Sequence, residues 1–161
     1  MKNAIFAIIP MLSLLIGAHA AVVRPAPDFS WPGVGKVRSL KSLRGQAVVL
    51  VIAQSPQTGA FRKQVRWLEE SYQSLASRGV VFVGAFREGE GPVKSNIPFV
   101  VANNGAAIAQ TYGAQGDFSL VVIGKDGNID YQTDRVRTGE RVRDVVQNAF
   151  PVQSAARKER Q

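Results

Sequence analysis

The sequence contains no cysteine, and its 161 residues hold one histidine and two methionines. His19, Met1 and Met11 all lie in the N-terminal stretch before Ala21. Beyond that stretch there is neither thiolate nor imidazole. Thiol–disulfide exchange, peroxide reduction at cysteine and Cys/His zinc sites are therefore excluded. The glycines between Gly84 and Gly91 are not followed by Gly-Lys-Ser/Thr, so they form no phosphate loop. Asp126, Asp130 and Asp134 recur at steps of four but lack the glycine and closing glutamate of a calcium loop. No metal and no cofactor is expected.

What the chain does have begins with a leader. Lys2 gives a short positive end, Ala4 to Gly17 is almost continuously apolar, and Ala18-His19-Ala20 fits the small-x-small cleavage rule. The run falls short of the ~20 residues that a bilayer-spanning helix needs. Residues 1–20 are therefore expected to be a signal peptide cut after Ala20, with export to the periplasm or beyond. The alternative is an uncleaved anchor. The mature form is expected to have no transmembrane segment.

Removing residues 1–20 from 161 leaves 141, enough for one domain with a sizeable core. The formal charge falls from +8 to +7 with the loss of Lys2. The excess is mostly arginine spread along the chain and is read as a solvated surface. Attraction to an acidic polymer of the cell envelope is the alternative. Nucleic acid is not an expected partner for an exported chain.

Prolines and glycines from Pro25 to Gly35 make residues 21–46 an extended lead-in, with a single turn at Leu40 to Leu43 closing near Gly45. Ala47 to Ala53 is a valine-rich run of the kind covered on both faces of a sheet. Phe61, Val65, Leu68, Tyr72 and Leu75 then recur at steps of four and three, one stripe on a helix, with Thr58 as N-cap and Gly79 as C-cap. Val80 to Phe86 is a second buried strand, Arg87 to Asn96 a loop, Phe99 to Ala102 a short strand and Ala106 to Tyr112 a short helix. Phe118 to Ile123 and Ile129 to Gln132 flank an Asp-Gly turn, a hairpin signal. A last helix starts near Thr138 and closes before Pro151, leaving residues 151–161 as a polar, basic tail, frayed from Gln153 to Gln161. The order predicts an α/β fold. A long helix between strands favours a parallel pair and the hairpin must be antiparallel, giving a mixed sheet with helices on both faces.

Four segments in this order resemble the redoxin branch of the thioredoxin superfamily, which includes peroxiredoxin-like proteins and exported thiol–disulfide oxidoreductases. They are PAPDF (Pro25–Phe29), LKSLRGQAVVL (Leu40–Leu50), NNGAAIAQTYG (Asn103–Gly113) and FSLVVIGKDGNI (Phe118–Ile129). The resemblance implies a thioredoxin-like three-layer fold with its core over residues 47–150. Its Cys-x-x-Cys pair would fall on Thr58, Gly59, Ala60 and Phe61, and its cis-proline at Asp117 or Phe118. Neither the cysteines nor the proline is present. The resemblance thus implies the fold while these residues argue against the activity. An oxidoreductase or antioxidant role would follow from family similarity alone.

The positions that could still act are few. Thr58 has no histidine to serve as its base, so the helix cap is its expected role; non-thiol catalysis around Thr58 and Asp117 is the alternative. The helix start with Arg62, Lys63 and Arg66 could hold a small anion; otherwise these are a solvated face, with Arg66 reaching Glu69 or Glu70. Trp67 lies off the stripe, level with Gln64 and Ser71, and is expected to lie under the lead-in with Trp31. An exposed anchor for a partner is the other reading. Arg135, Arg137, Arg141 and Arg143 and the terminal Arg157-Lys158-Glu159-Arg160 read as solvated charge, with a polyanion or membrane surface as the alternative. The expectation is an exported, cysteine-less, thioredoxin-like module that acts by binding a protein partner of the cell envelope.

Overall fold

A computed structural model describes residues 23–89 and 91–158, residues 149–158 by their backbone alone. The leader, its cut after Ala20 and the last three residues of the tail lie outside the described residues. No helix among the described residues is long and apolar enough to cross a membrane.

Two three-residue strands, β1 (Ser30–Pro32) and β2 (Val37–Ser39), pair antiparallel and form a ribbon inside the lead-in. A 3-10 turn at Leu40–Leu43 follows, and Gly45 leaves it at φ 90°. The main sheet has five strands in the order β5-β4-β3-β6-β7. Its centre is β3 (Val48–Ala53), parallel to β4 (Val81–Phe86) and antiparallel to β6 (Phe118–Ile123). Outside these lie β5 (Phe99–Val101), parallel to β4, and β7 (Ile129–Thr133), antiparallel to β6 across the Asp-Gly turn.

All six residues of β3 are buried because both faces of the sheet are covered. Val49, Val51 and Ala53 point into one cluster with Phe61, Leu68, Leu75, Phe82, Leu120 and Val142. Val48, Leu50 and Ile52 point into a second with Phe29, Trp31, Leu43, Ile108 and Tyr112. Full burial of each large aliphatic or aromatic side chain is worth ~1.5–3 kcal/mol, so the valine-rich run anchors two cores at once. The result is three layers. Helices α1 (Gly59–Glu70), α2 (Tyr72–Ala76) and α4 (Gly139–Lys158) cover one face. The lead-in and α3 (Gly105–Thr111) cover the other.

Three elements differ from the sequence expectation. The helix expected to run unbroken from Thr58 to Gly79 is divided at Ser71. There the start of α4 comes so near that a Cβ on Gly139 would lie 2.3 Å from the Trp67 carbonyl oxygen. The Ser71 amide turns back to Leu68 O at 3.1 Å, and α2 starts afresh. The last helix does not close before Pro151 but continues to Lys158, so residues 151–158 are helical. A proline within a helix gives up its amide bond and crowds the carbonyl one turn back, a cost of ~3 kcal/mol, while Gln153 to Lys158 is rich in good helix formers. Finally, Trp31 does not cover Trp67. Trp31 is 3% exposed in the second cluster, across the sheet from α1, whereas Trp67 stays half-buried under the Lys63 ammonium, 4.7 Å from its ring.

Candidate functional site

The C-terminal end of β3 and the N-terminal end of β6 meet at one end of the sheet, with Ala53 paired to Phe118. The fold thereby brings together the two places where the resemblance puts a redox pair and a cis-proline. Residues Gln54 to Thr58 leave β3 here and turn into α1. Ser55 organises the turn: its hydroxyl accepts the Gln57 amide at 3.3 Å, and its carbonyl accepts both the Thr58 amide (3.3 Å) and the Thr58 hydroxyl (3.0 Å).

Thr58 is thus the N-cap residue by backbone, its carbonyl accepting the Arg62 amide at 3.0 Å, but its side chain does not cap. The expected hydroxyl cap fails because the hydroxyl faces back to Ser55 and donates there. Side-chain capping occurs instead at Asn104, which accepts the Ala107 amide at 3.3 Å, and at Thr138, which accepts the Arg141 amide at 3.3 Å. Gly59 is exposed and Ala60 half-buried. Phe61 is 1% exposed, edge-on to Phe86 at 5.0 Å and tilted to Phe99 at 5.9 Å. The fourth position of the family's motif is therefore core, not surface. Asp117 is exposed and Phe118 is buried.

The four residues considered for anion binding do not act together. Thr58 is committed to Ser55, and Lys63 lies over Trp67. Arg62 and Arg66 are both exposed and line a groove of about 340 Å³ between α1 and the loop at residues 91–98. The loop adds Lys94, which sequence reading passed over because it stands alone in a polar stretch. Arg66 is not paired with Glu69. The Glu69 carboxylate accepts the Ser95 hydroxyl at 3.0 Å and the Asn96 amide at 2.8 Å, pinning the loop as the far wall. The first turn of α1 holds no acidic residue to complement its dipole; the helix's acids, Glu69 and Glu70, stand at its far end.

Other charged groups have local duties. Arg137 donates through Nε to the Tyr131 hydroxyl at 2.9 Å, Arg141 lies 5.6 Å from that ring, and Arg143 pairs with Asp144 at 3.5 Å. Asp126 accepts the Asn128 amide at 3.0 Å and closes the hairpin turn. No group of three or more His, Cys, Asp or Glu among the described residues is placed to hold a metal. Arg87, also passed over in the sequence, donates to the Ala114 carbonyl, and its Nε and the Gln54 Oε1 are buried without a partner at the same end of the sheet.

The model of the AhpC/TSA family matches residues 22–132. No curated protein matches the chain. Among solved structures, the fold is shared with a thiol:disulfide interchange protein of the thioredoxin family from Chlorobium tepidum TLS (24% identity, 80% of this chain and 97% of that one, TM-score 0.64). It is also shared with Plasmodium yoelii thioredoxin peroxidase I (18% identity, 83% and 91%, TM-score 0.61). The reduced 2-Cys peroxiredoxin of Plasmodium vivax is similar as well (14% identity, 81% and 96%, TM-score 0.61). At these identities the likeness is one of fold.

Proposed function

The chain belongs to the AhpC/TSA family and carries no cysteine, and from that premise we propose that it is an exported, non-catalytic module that works by binding. The observation that carries the reading is Phe61. Where the family resemblance places a sulfur, an aromatic ring fills the core between Phe86 and Phe99. The Thr58 hydroxyl, at the other end of the motif, is held by Ser55, and no histidine stands in the mature sequence to activate it. Non-thiol catalysis at Thr58 would have to draw on a carboxylate such as Asp117, and no hydrogen bond joins the two. The leader, with its apolar run and Ala18-His19-Ala20, supports export.

Purified protein should give dithiol-dependent insulin reduction and peroxide consumption equal to a protein-free blank. Turnover above it would overturn the reading. N-terminal sequencing of protein recovered from the periplasmic or culture fraction is expected to start at Ala21; an intact Met1 would contradict processing. Capture on the immobilised protein from envelope extract should return one stoichiometric partner, and a monomer with no partner and no loss phenotype would end the binding interpretation.

A further inference from the structure

We propose that the groove between α1 and the loop at residues 91–98 receives an extended acidic peptide segment, in which Asp or Glu alternates with apolar residues. The inference rests on the binding reading above and names the chemistry of the partner. Three cations reach the groove, Arg62 and Arg66 from the helix and Lys94 from the facing loop. Glu69 also lines it and keeps its charge while accepting from Ser95 and Asn96, so three cations stand against one carboxylate.

Spacing selects the ligand's conformation. Residues four apart on a helix have Cβ atoms about 5–6 Å apart. Alternate residues of an extended chain are about 6.6 Å apart on one side, with the intervening side chains on the other. Two acids of such a segment can therefore address Arg62 and Arg66 in turn, through the forked pairing that guanidinium gives carboxylate. The residue between them faces the opposite wall, where Pro92 is exposed on the loop; Pro56 and Val65 also line the groove but are themselves buried. A phosphate polymer or acidic glycan would satisfy the cations but leave that apolar surface unused. This favours a peptide.

The test uses the full processed chain and fluorescein-labelled Asp-Leu-Asp-Leu-Asp-Leu, read by anisotropy. Saturable binding is expected, weakened about tenfold or more by Arg62→Glu with Arg66→Glu, and severalfold by Lys94→Glu. Lys63→Glu makes the same change in charge outside the groove and should alter affinity less than about twofold. The matched Asp-Ser peptide and inorganic polyphosphate should bind about tenfold more weakly. Absence of saturation, an unaffected double variant, or equal affinity for the Asp-Ser peptide or polyphosphate would each overturn the proposal, the last pointing to a general polyanion surface. All three positions are exposed, so the variants should keep the wild-type thermal midpoint. If the double variant still retains a captured envelope partner, the groove assignment fails while the binding reading survives. If no partner exists for the wild type, both fail.

Discussion

Gln64 is fully buried on α1, and both ends of its amide are used. Its Nε2 donates to the Arg137 carbonyl at 2.8 Å, and its Oε1 accepts the Arg137 amide at 2.8 Å. Replacement Gln64→Ala strands two backbone groups, each costing ~1–3 kcal/mol when left unpaired. A loss of about 3 kcal/mol is expected in urea unfolding; a change within about 0.5 kcal/mol, as at ordinary surface sites, would contradict this. This role was not legible beforehand: Gln64 stands three after Phe61 and four before Leu68, at the margin of the apolar stripe, but its partner is 73 residues away. Tyr112 is a second buried polar group, donating its hydroxyl to the Pro27 carbonyl at 2.7 Å. Burial, helped by the nearby Asp28 charge and opposed by Arg24, pushes its hydroxyl well above the ordinary phenol range. A raised acid in the folded state means that the unfolded chain loses its proton first, so the folded form is penalised only as pH rises past the unfolded value of about 10. Stability should be flat in this respect below that pH and fall above it. Tyr112→Phe is expected to flatten the alkaline decline in denaturant titrations, and an unchanged slope would remove Tyr112 as its source.

At the scale of elements, α3 depends on its first residues. Asn104 sits at φ 55° and its side chain caps the Ala107 amide, while a Cβ on Gly105 would lie 2.0 Å from the Phe86 carbonyl oxygen. Asn104→Ala loses the cap, worth ~1 kcal/mol, and pays left-handed strain of ~1–2 kcal/mol. Asn104→Gly relieves the strain and should cost less than half as much; equal losses would mean that backbone conformation plays no part. These two residues were legible only as an Asn-Gly turn. The five sheet strands were readable because apolar runs bounded by turn residues are local signals. The ribbon of β1 and β2 was not, since its strands read Ser-Trp-Pro and Val-Arg-Ser, with no apolar run to mark them. The break at Ser71 was equally hidden. The steps of four and three pass straight through it, and the packing of Gly139 decides it.

For the whole molecule, the lead-in is part of the core rather than a linker. Phe29 and Trp31 are 6% and 3% exposed against the sheet, and the Ala26 amide donates to Gly127 O at 3.0 Å. Truncating a buried aromatic to alanine costs ~3–5 kcal/mol, and a domain has only ~5–15 kcal/mol in total. A chain beginning at Gly33 should therefore lose its near-UV circular dichroism and its cooperative melt, whereas a native-like transition would show that the second face closes without them. The sequence foretold the mixed sheet and the extended lead-in, but not which face the lead-in would cover. Trp31 and Trp67 are both tryptophans near polar residues, and only the strand order places them on opposite sides. The candidate groove was legible in half: Arg62 and Arg66 share a helix flank by spacing, while Lys94 joins them through a loop fold that no local pattern encodes.

The ring of Phe61 also bears on reversion. A single mutation to cysteine at that position would bury the new thiol beneath α1, walled off from oxidants and from any second sulfur, and would open a cavity between Phe86 and Phe99. Regaining electron transfer would demand a paired substitution at Thr58 together with repacking of that wall, so each lone step toward it loses stability with no activity in return.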